Sequence, residues 1–163
     1  MATQININPN PISVGMFIDD ADRYEKPYNG KVKVTKIDRI QAETNLKGAI
    51  IVHMTSPSLE QRGLEIRDMF PRKKPATPIN DWAQTQANRA CGALKSAGEK
   101  YPEAIEGKSE ISFLNNIYKL IKGLEGKEIV ISQYYGKNGK PRVSYKFQGD
   151  AEPSEDDEDE IQF

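Results

Sequence analysis

The stretch GKEIVISQYYGKNGKPRVSYKF, Gly126 to Phe147, decides the fold class. Two runs of alternating character flank Asn138-Gly139, a dipeptide that accepts the positive φ angles of a tight hairpin turn. Alternation at period two belongs to strands, whose successive side chains point to opposite faces. A β-hairpin is therefore expected near the end of the folded part of the chain.

Working back from the hairpin, GKVKVTKIDRI (Gly30 to Ile40) alternates Val32 and Val34 with Lys31, Lys33 and Thr35, which predicts a half-buried strand with a basic outer face. Its apolar phase then slips to Ile37 and Ile40, the mark of a bulge or of the strand's end. GAIIVHMTSP (Gly48 to Pro57) reads as a buried strand closed by Ser56-Pro57. LEIRDMF (Leu64 to Phe70) reads as a weaker third strand, with Leu64, Ile66 and Asp68 on one side. The first 13 residues read as an extended arm.

Between these strands and the hairpin the period changes. PRKKPATP (Pro71 to Pro78) holds three prolines and must be a loop, one that carries Arg72, Lys73 and Lys74. Asn80 is placed to cap a helix whose buried side is Trp82, Ala83, Ala87, Ala90, Cys91 and Leu94. Ser109 caps a second helix with the apolar stripe Phe113, Ile117, Leu120 and Ile121, stopped at Gly123. The order of strands, helices and hairpin implies an α+β or mainly β fold: a small OB-like barrel over residues 1–149 with a helical insertion at about 80–123.

The charge is divided along the chain. Of the 24 acidic residues eight lie in 150–163 with no basic residue, which leaves 16 acidic against 23 basic in 1–149, a body of +7 and a tail of −8. A block of like charge is expected to be disordered and to act as an interaction segment. No apolar run is long enough to cross a membrane, the first residues lack the pattern of a signal peptide, and the single Cys91 permits no internal disulfide, so a cytoplasmic protein is expected.

Residues able to do covalent chemistry are sparse. His53 sits in the apolar run AIIVHM, where a satisfied histidine is the plain reading, and Cys91 lies among small helical residues. Asp19, Asp20 and Asp22 form the one compact carboxylate cluster of the body and would be the oxygens of a metal-dependent nuclease, but no second cluster supports them. GKNGK at Gly139 lacks the strand-to-helix context of a phosphate cradle. No enzyme, cofactor or metal is expected.

Binding is better served. In the hairpin Lys137, Lys140, Arg142 and Lys146 interleave with Tyr134, Tyr135, Tyr145 and Phe147. Single-stranded nucleic acid is held by cations along its phosphates and by rings under its bases. Lys31 and Lys33, with Lys36, Tyr24 and Tyr28 nearby, offer a second basic surface, and Arg72, Lys73 and Lys74 a third. Alternation lets at most about half the hairpin's rings reach one surface.

The basic body, the linker Ala151-Glu152-Pro153-Ser154 and the segment Asp156, Asp157, Glu158, Asp159, Glu160, Ile161, Gln162, Phe163 together resemble the single-stranded DNA-binding proteins of bacteria and their phages. Gln162 stands where the bacterial tail has Pro. The resemblance implies an OB-type fold, no enzymatic activity, a role in phage DNA replication or recombination, and a tail whose Ile161 and Phe163 anchor a replication or recombination protein. It also implies that the tail competes with DNA for the basic body; a homodimer with exchanged tails fits the same pattern. The competing readings are a recombination accessory or annealing protein, a small metal-dependent nuclease, and an interaction protein whose tail mimics DNA.

Overall fold

The computed structural model describes residues 4–15, 29–40, 49–61, 63, 65–135 and 141–147, with backbone alone at 14–15, 133–135 and 141–143. Eight strands are found there: β1 (Ile5–Ile7), β2 (Val14–Gly15), β3 (Asn29–Arg39), β4 (Ile50–Thr55), β5 (Ile66–Phe70), β6 (Ile105–Gly107), β7 (Glu128–Tyr135) and β8 (Pro141–Tyr145). Three helices accompany them: α1 (Pro57–Gln61), α2 (Ile79–Ser96) and α3 (Glu110–Ile121). One antiparallel sheet runs in the order β2-β8-β7-β3-β4-β5, and β1 pairs separately with β6.

The main sheet is strongly curled into a half-barrel, giving a mixed α+β fold. One hydrogen bond demonstrates the curl. The Tyr145 hydroxyl on β8 donates to Asp68 Oδ2 on β5, although four strand spacings separate these strands within the sheet. In a flat sheet that is about 19 Å, beyond the combined reach of the two side chains. The inner face carries Val32, Val34, Ile37, Ile50, Val52, Met54, Ile66, Phe70, Ile129 and Ile131, all buried, and α2 and α3 complete the core with Trp82, Ala83, Ala87, Ala90, Phe113, Leu114 and Ile117.

The alternation in GKVKVTKIDRI produces the bulge that its phase slip implies. The register against β4 jumps between Val34 and Lys36, so Ile37 returns to the inner face while Lys36 stays outside. The segment after α3 supports this bulge. Glu125 Oε2 accepts from the Ile37 N–H at 2.7 Å, and Gly126 N–H donates to Val34 O at 2.7 Å.

Several element ends differ from the sequence reading. Ser56-Pro57 starts helix α1 rather than only closing β4: Ser56 Oγ accepts from Leu59 N–H at 3.3 Å, and Pro57 takes the first helical position, where no N–H is required. Helix α2 begins at Ile79, before Asn80, because Trp82 N–H already bonds to Pro78 O at 3.1 Å. Gly123 does not stop α3; the chain tightens into a 3-10 turn (Lys122–Leu124) and turns at Gly126, whose φ is +87°. Ser109 caps α3 as expected, its hydroxyl accepting from Ser112 N–H at 3.1 Å.

The amino-terminal arm is a structural element in its own right. Asn10 N–H bonds to Asn88 Oδ1 at 2.7 Å and Ile12 N–H to Asn88 O at 3.2 Å, which lays the arm along α2 and delivers β2 to the edge of the hairpin. Gly92 makes room for it: a Cβ there would sit 1.7 Å from Ile12 O. The Asn138-Gly139 turn and the tail from 150 onward lie outside the described residues.

Candidate nucleic-acid interface

Because the apolar residues of β3 face inward, its lysines project from the outer face of the half-barrel. The register aligns them with charges far away in sequence. Lys31 pairs with Val130 on β7, and on the other side of Val130 lies Lys146, whose N–H donates to Val130 O at 2.8 Å. One row across three strands therefore reads Lys31, Val130, Lys146. The next row joins Thr55, Lys33 and Glu128, and the row beyond Lys31 joins Asn29 and Ser132, with Ser144 opposite Ser132. Lys31, Lys33 and Lys146 are exposed.

Over this part of β3 lies an open groove of about 770 Å³, walled on one side by Thr55, Ser56, Pro57 and Glu60 and on the other by Gly126 and Glu128. Its two lysines, Lys31 and Lys33, meet two glutamates, so the groove itself is charge-balanced. The excess positive charge comes from Lys146 on its flank.

The lower half of the same face is neutralised internally. Lys36, His53 and Arg67 form one row across β3, β4 and β5. His53 Nε2 lies 3.0 Å from Asp38 Oδ2 and Nδ1 3.0 Å from Glu65 Oε1, while Lys36 approaches Asp38 at 3.3 Å. Partial burial raises the Asp38 carboxyl, but its bonds to His53 and Lys36 outweigh that and hold it below the usual carboxylate range. With both ring nitrogens engaged, His53 is a sheet-face histidine of the kind the sequence suggested.

No family model, curated protein or solved structure matches this chain. The case for a site rests on the chain's own geometry.

That geometry sorts the expected residues, Tyr145 apart, into four groups. Lys31, Lys33 and Lys146 come together on the outer face. Tyr134 stands opposite Arg142 and Tyr135 opposite Pro141 in the ladder, which carries the hairpin outward from Ser132 and Ser144. Arg72, Lys73 and Lys74 lie elsewhere: Arg39, Ile50 and Phe70 share one row, so the loop after Phe70 is near the Arg39 end of β3, eight residues or roughly 26 Å along the strand from Lys31. Lys137, Lys140, the tail residues 156–163 and the Asp19, Asp20, Asp22 cluster are outside the described residues.

Tyr145 requires a correction. It is only 2% exposed and its hydroxyl is bonded to Asp68, so it belongs to the core and offers no ring to a base. Two residues on, Phe147 is partly committed as well, with Lys95 Nζ over its ring at 4.6 Å. The chemistry around Tyr145 is a buried polar knot that the sequence did not reveal. Arg89 Nη2 on α2 donates to Asp68 Oδ1 at 2.7 Å and to Met69 O, Nη1 donates to Gln86 Oε1 at 3.1 Å, and the guanidinium lies over Phe70 at 4.7 Å. Burial, then the adjacent carboxylate, push the Tyr145 phenol well above its ordinary value. Burial likewise pushes the Cys91 thiol up to about 12, which keeps it protonated and unreactive near neutral pH.

Proposed function

We propose that this protein is a non-enzymatic single-stranded DNA-binding protein of the phage replication and recombination type, its half-barrel acting as an OB-like platform and its acidic tail as both competitor and partner-recruiting segment. The observation that carries the reading is the row Lys31, Val130, Lys146 with Lys33 beside it: three cations from strands far apart in sequence on the outer face of a curled antiparallel sheet. Cations spaced across a curved sheet suit a backbone that is followed through its phosphates and not read base by base. The hairpin bearing Tyr134 and Arg142 extends from the same three-stranded patch, where an aromatic platform is needed.

The division of charge supplies the regulation. A tethered segment of −8 meets a body of +7 at high effective concentration, and single-stranded DNA displaces it. Ile161 and Phe163 then become available to an apolar pocket on a replication or recombination protein, with Asp156, Asp157, Glu158, Asp159 and Glu160 pairing to basic residues around it.

The test is fluorescence anisotropy of labelled oligo-dT and of a matching duplex at two salt concentrations. Salt-sensitive preference for the single strand supports the reading. Equal binding to both would favour an annealing or accessory role, divalent-metal-dependent cleavage a nuclease, and no binding a tail that acts alone.

A further inference from the structure

A second cationic site lies at the other end of β3. Arg39 follows the bulge, which turns it toward the inner face and α3, where Nε donates to Asn115 Oδ1 at 3.0 Å and Nη1 to the carbonyls of Ile40 at 2.6 Å and Ala49 at 3.3 Å. These partners are neutral, so the Arg39 charge meets no carboxylate among the described residues. Arg72 arrives from the loop after β5, with only 14% of its side chain exposed, and its Nε donates to Glu110 Oε2 at 2.8 Å. The same carboxylate oxygen accepts the Lys73 N–H at 2.8 Å, so Glu110 is shared. Arg39 shares a row with Ile50 and Phe70, two residues before Arg72, and both guanidiniums bond to α3, Arg39 at Asn115 and Arg72 at Glu110. In keeping with that placement, burial and then repulsion from Arg72 lower the Arg39 pKa.

Two half-buried like charges against one carboxylate cost stability. Both side chains are nevertheless fixed by bonds at Nε. Arg39 Nη2 and both terminal nitrogens of Arg72 have no hydrogen-bond acceptor among the described residues. A pair of pre-oriented forks with unspent donors matches the three-oxygen face of a phosphate group. We propose that Arg39 and Arg72 form a phosphate-binding site for a phosphomonoester or phosphodiester group. It is roughly 26 Å from Lys31, from the rise per residue of a strand, and independent of the DNA-binding reading. Lys73 and Lys74 in the adjoining loop provide the surrounding positive field, although Lys73 Nζ is itself held by the carbonyls of Lys74 and Thr77, each at 3.1 Å.

The experiment is a titration of the full chain with inorganic phosphate at constant ionic strength against chloride, read by arginine Nε–H resonances and by calorimetry. Saturable shifts of Arg39 and Arg72 are expected, with Arg72→Gln weakening binding about tenfold or more as a charge-assisted bond disappears. Arg72→Lys keeps the charge without the fork and is expected to fall between. Shifts that follow ionic strength alone, or an affinity that neither variant changes, would overturn the site. Oligo-dT with and without a 5′-phosphate identifies the source: a gain from the 5′-phosphate that Arg72→Gln removes assigns a terminal monoester, and equal binding of both that Arg72→Gln weakens alike assigns an internal diester. Binding of inorganic phosphate by a chain that ignores unphosphorylated oligo-dT would sink the DNA-binding reading and leave this site standing.

Discussion

Asp68 is the residue on which most of the interior turns. Its carboxylate accepts from Arg89, from Tyr145 and from the Met69 N–H at 2.8 Å, and Arg89 in turn occupies Met69 O. The N–H and C=O of Met69, on the strand that ends the sheet, are thereby satisfied by side chains, which blunts an edge otherwise open to another chain. Removing one partner of such a buried pair leaves the other charge uncompensated. Arg89→Ala is expected to lose about 3–5 kcal/mol in urea denaturation. Tyr145→Phe removes a single bond to a charged group and should cost about 1.5–3 kcal/mol while leaving oligo-dT affinity unchanged, because the ring is core. Arg89 Nε has no hydrogen-bond partner among the described residues, and the Phe70 ring against the guanidinium face offsets part of that deficit.

At the scale of elements, the segment 125–127 and the amino-terminal arm each hold an irregular part of the sheet. The bond from Ile37 N–H, followed by that from Lys122, keeps the Glu125 carboxyl below its ordinary value. A depressed carboxylate contributes stability above its unfolded pKa and loses it as pH falls through the folded one. The advantage of the wild type over Glu125→Gln is therefore expected in full at pH 7, to start falling only near the ordinary carboxyl pKa of 4.5 and to be lost as the pH passes below the depressed folded value, read as the difference in melting temperature across that range. Gly92→Ala would drive a methyl into the Ile12 carbonyl, so the arm must lift from α2. A cost of about 1–3 kcal/mol is expected, with faster amide exchange at Ile12 and in β2 while α2 stays protected. These elements were partly legible. The bulge, the Ser109 cap and the buried side of α2 follow from local periodicity and side-chain chemistry, and so does Asp68, read on the inward side of its strand. The β1–β6 pair does not, since three-residue strands carry too little alternation to signal a partner about a hundred residues away.

For the whole molecule the question is where a polyanion would lie and what competes with it. Deleting 150–163 is expected to tighten oligo-dT binding, most at low salt where the competing −8 segment is least screened. Lys31→Ala with Lys146→Ala should weaken binding and reduce the slope of log affinity against log salt by about 0.7 for each phosphate that is no longer neutralised, measured by anisotropy. An unchanged slope would remove the β3-β7-β8 face from the interface. Half of this surface was visible in the lysine spacing of KVKVTK. Its alignment with Lys146 was not, because pairing of strands about a hundred residues apart is a property of register.

By itself the sequence determined what is local: the period-two strands, the helical stripe and cap, the loop set by three prolines, and the division of charge between body and tail. These depend on interactions within a few residues or on composition. Only the tertiary structure decided that Tyr145 is core, that Arg89 and Asp68 meet, that Lys31 and Lys146 share a row and that Arg39 and Arg72 both bond to α3. Each of these depends on how far the sheet curls and which strands become neighbours, and both are set by packing the inner face against α2 and α3.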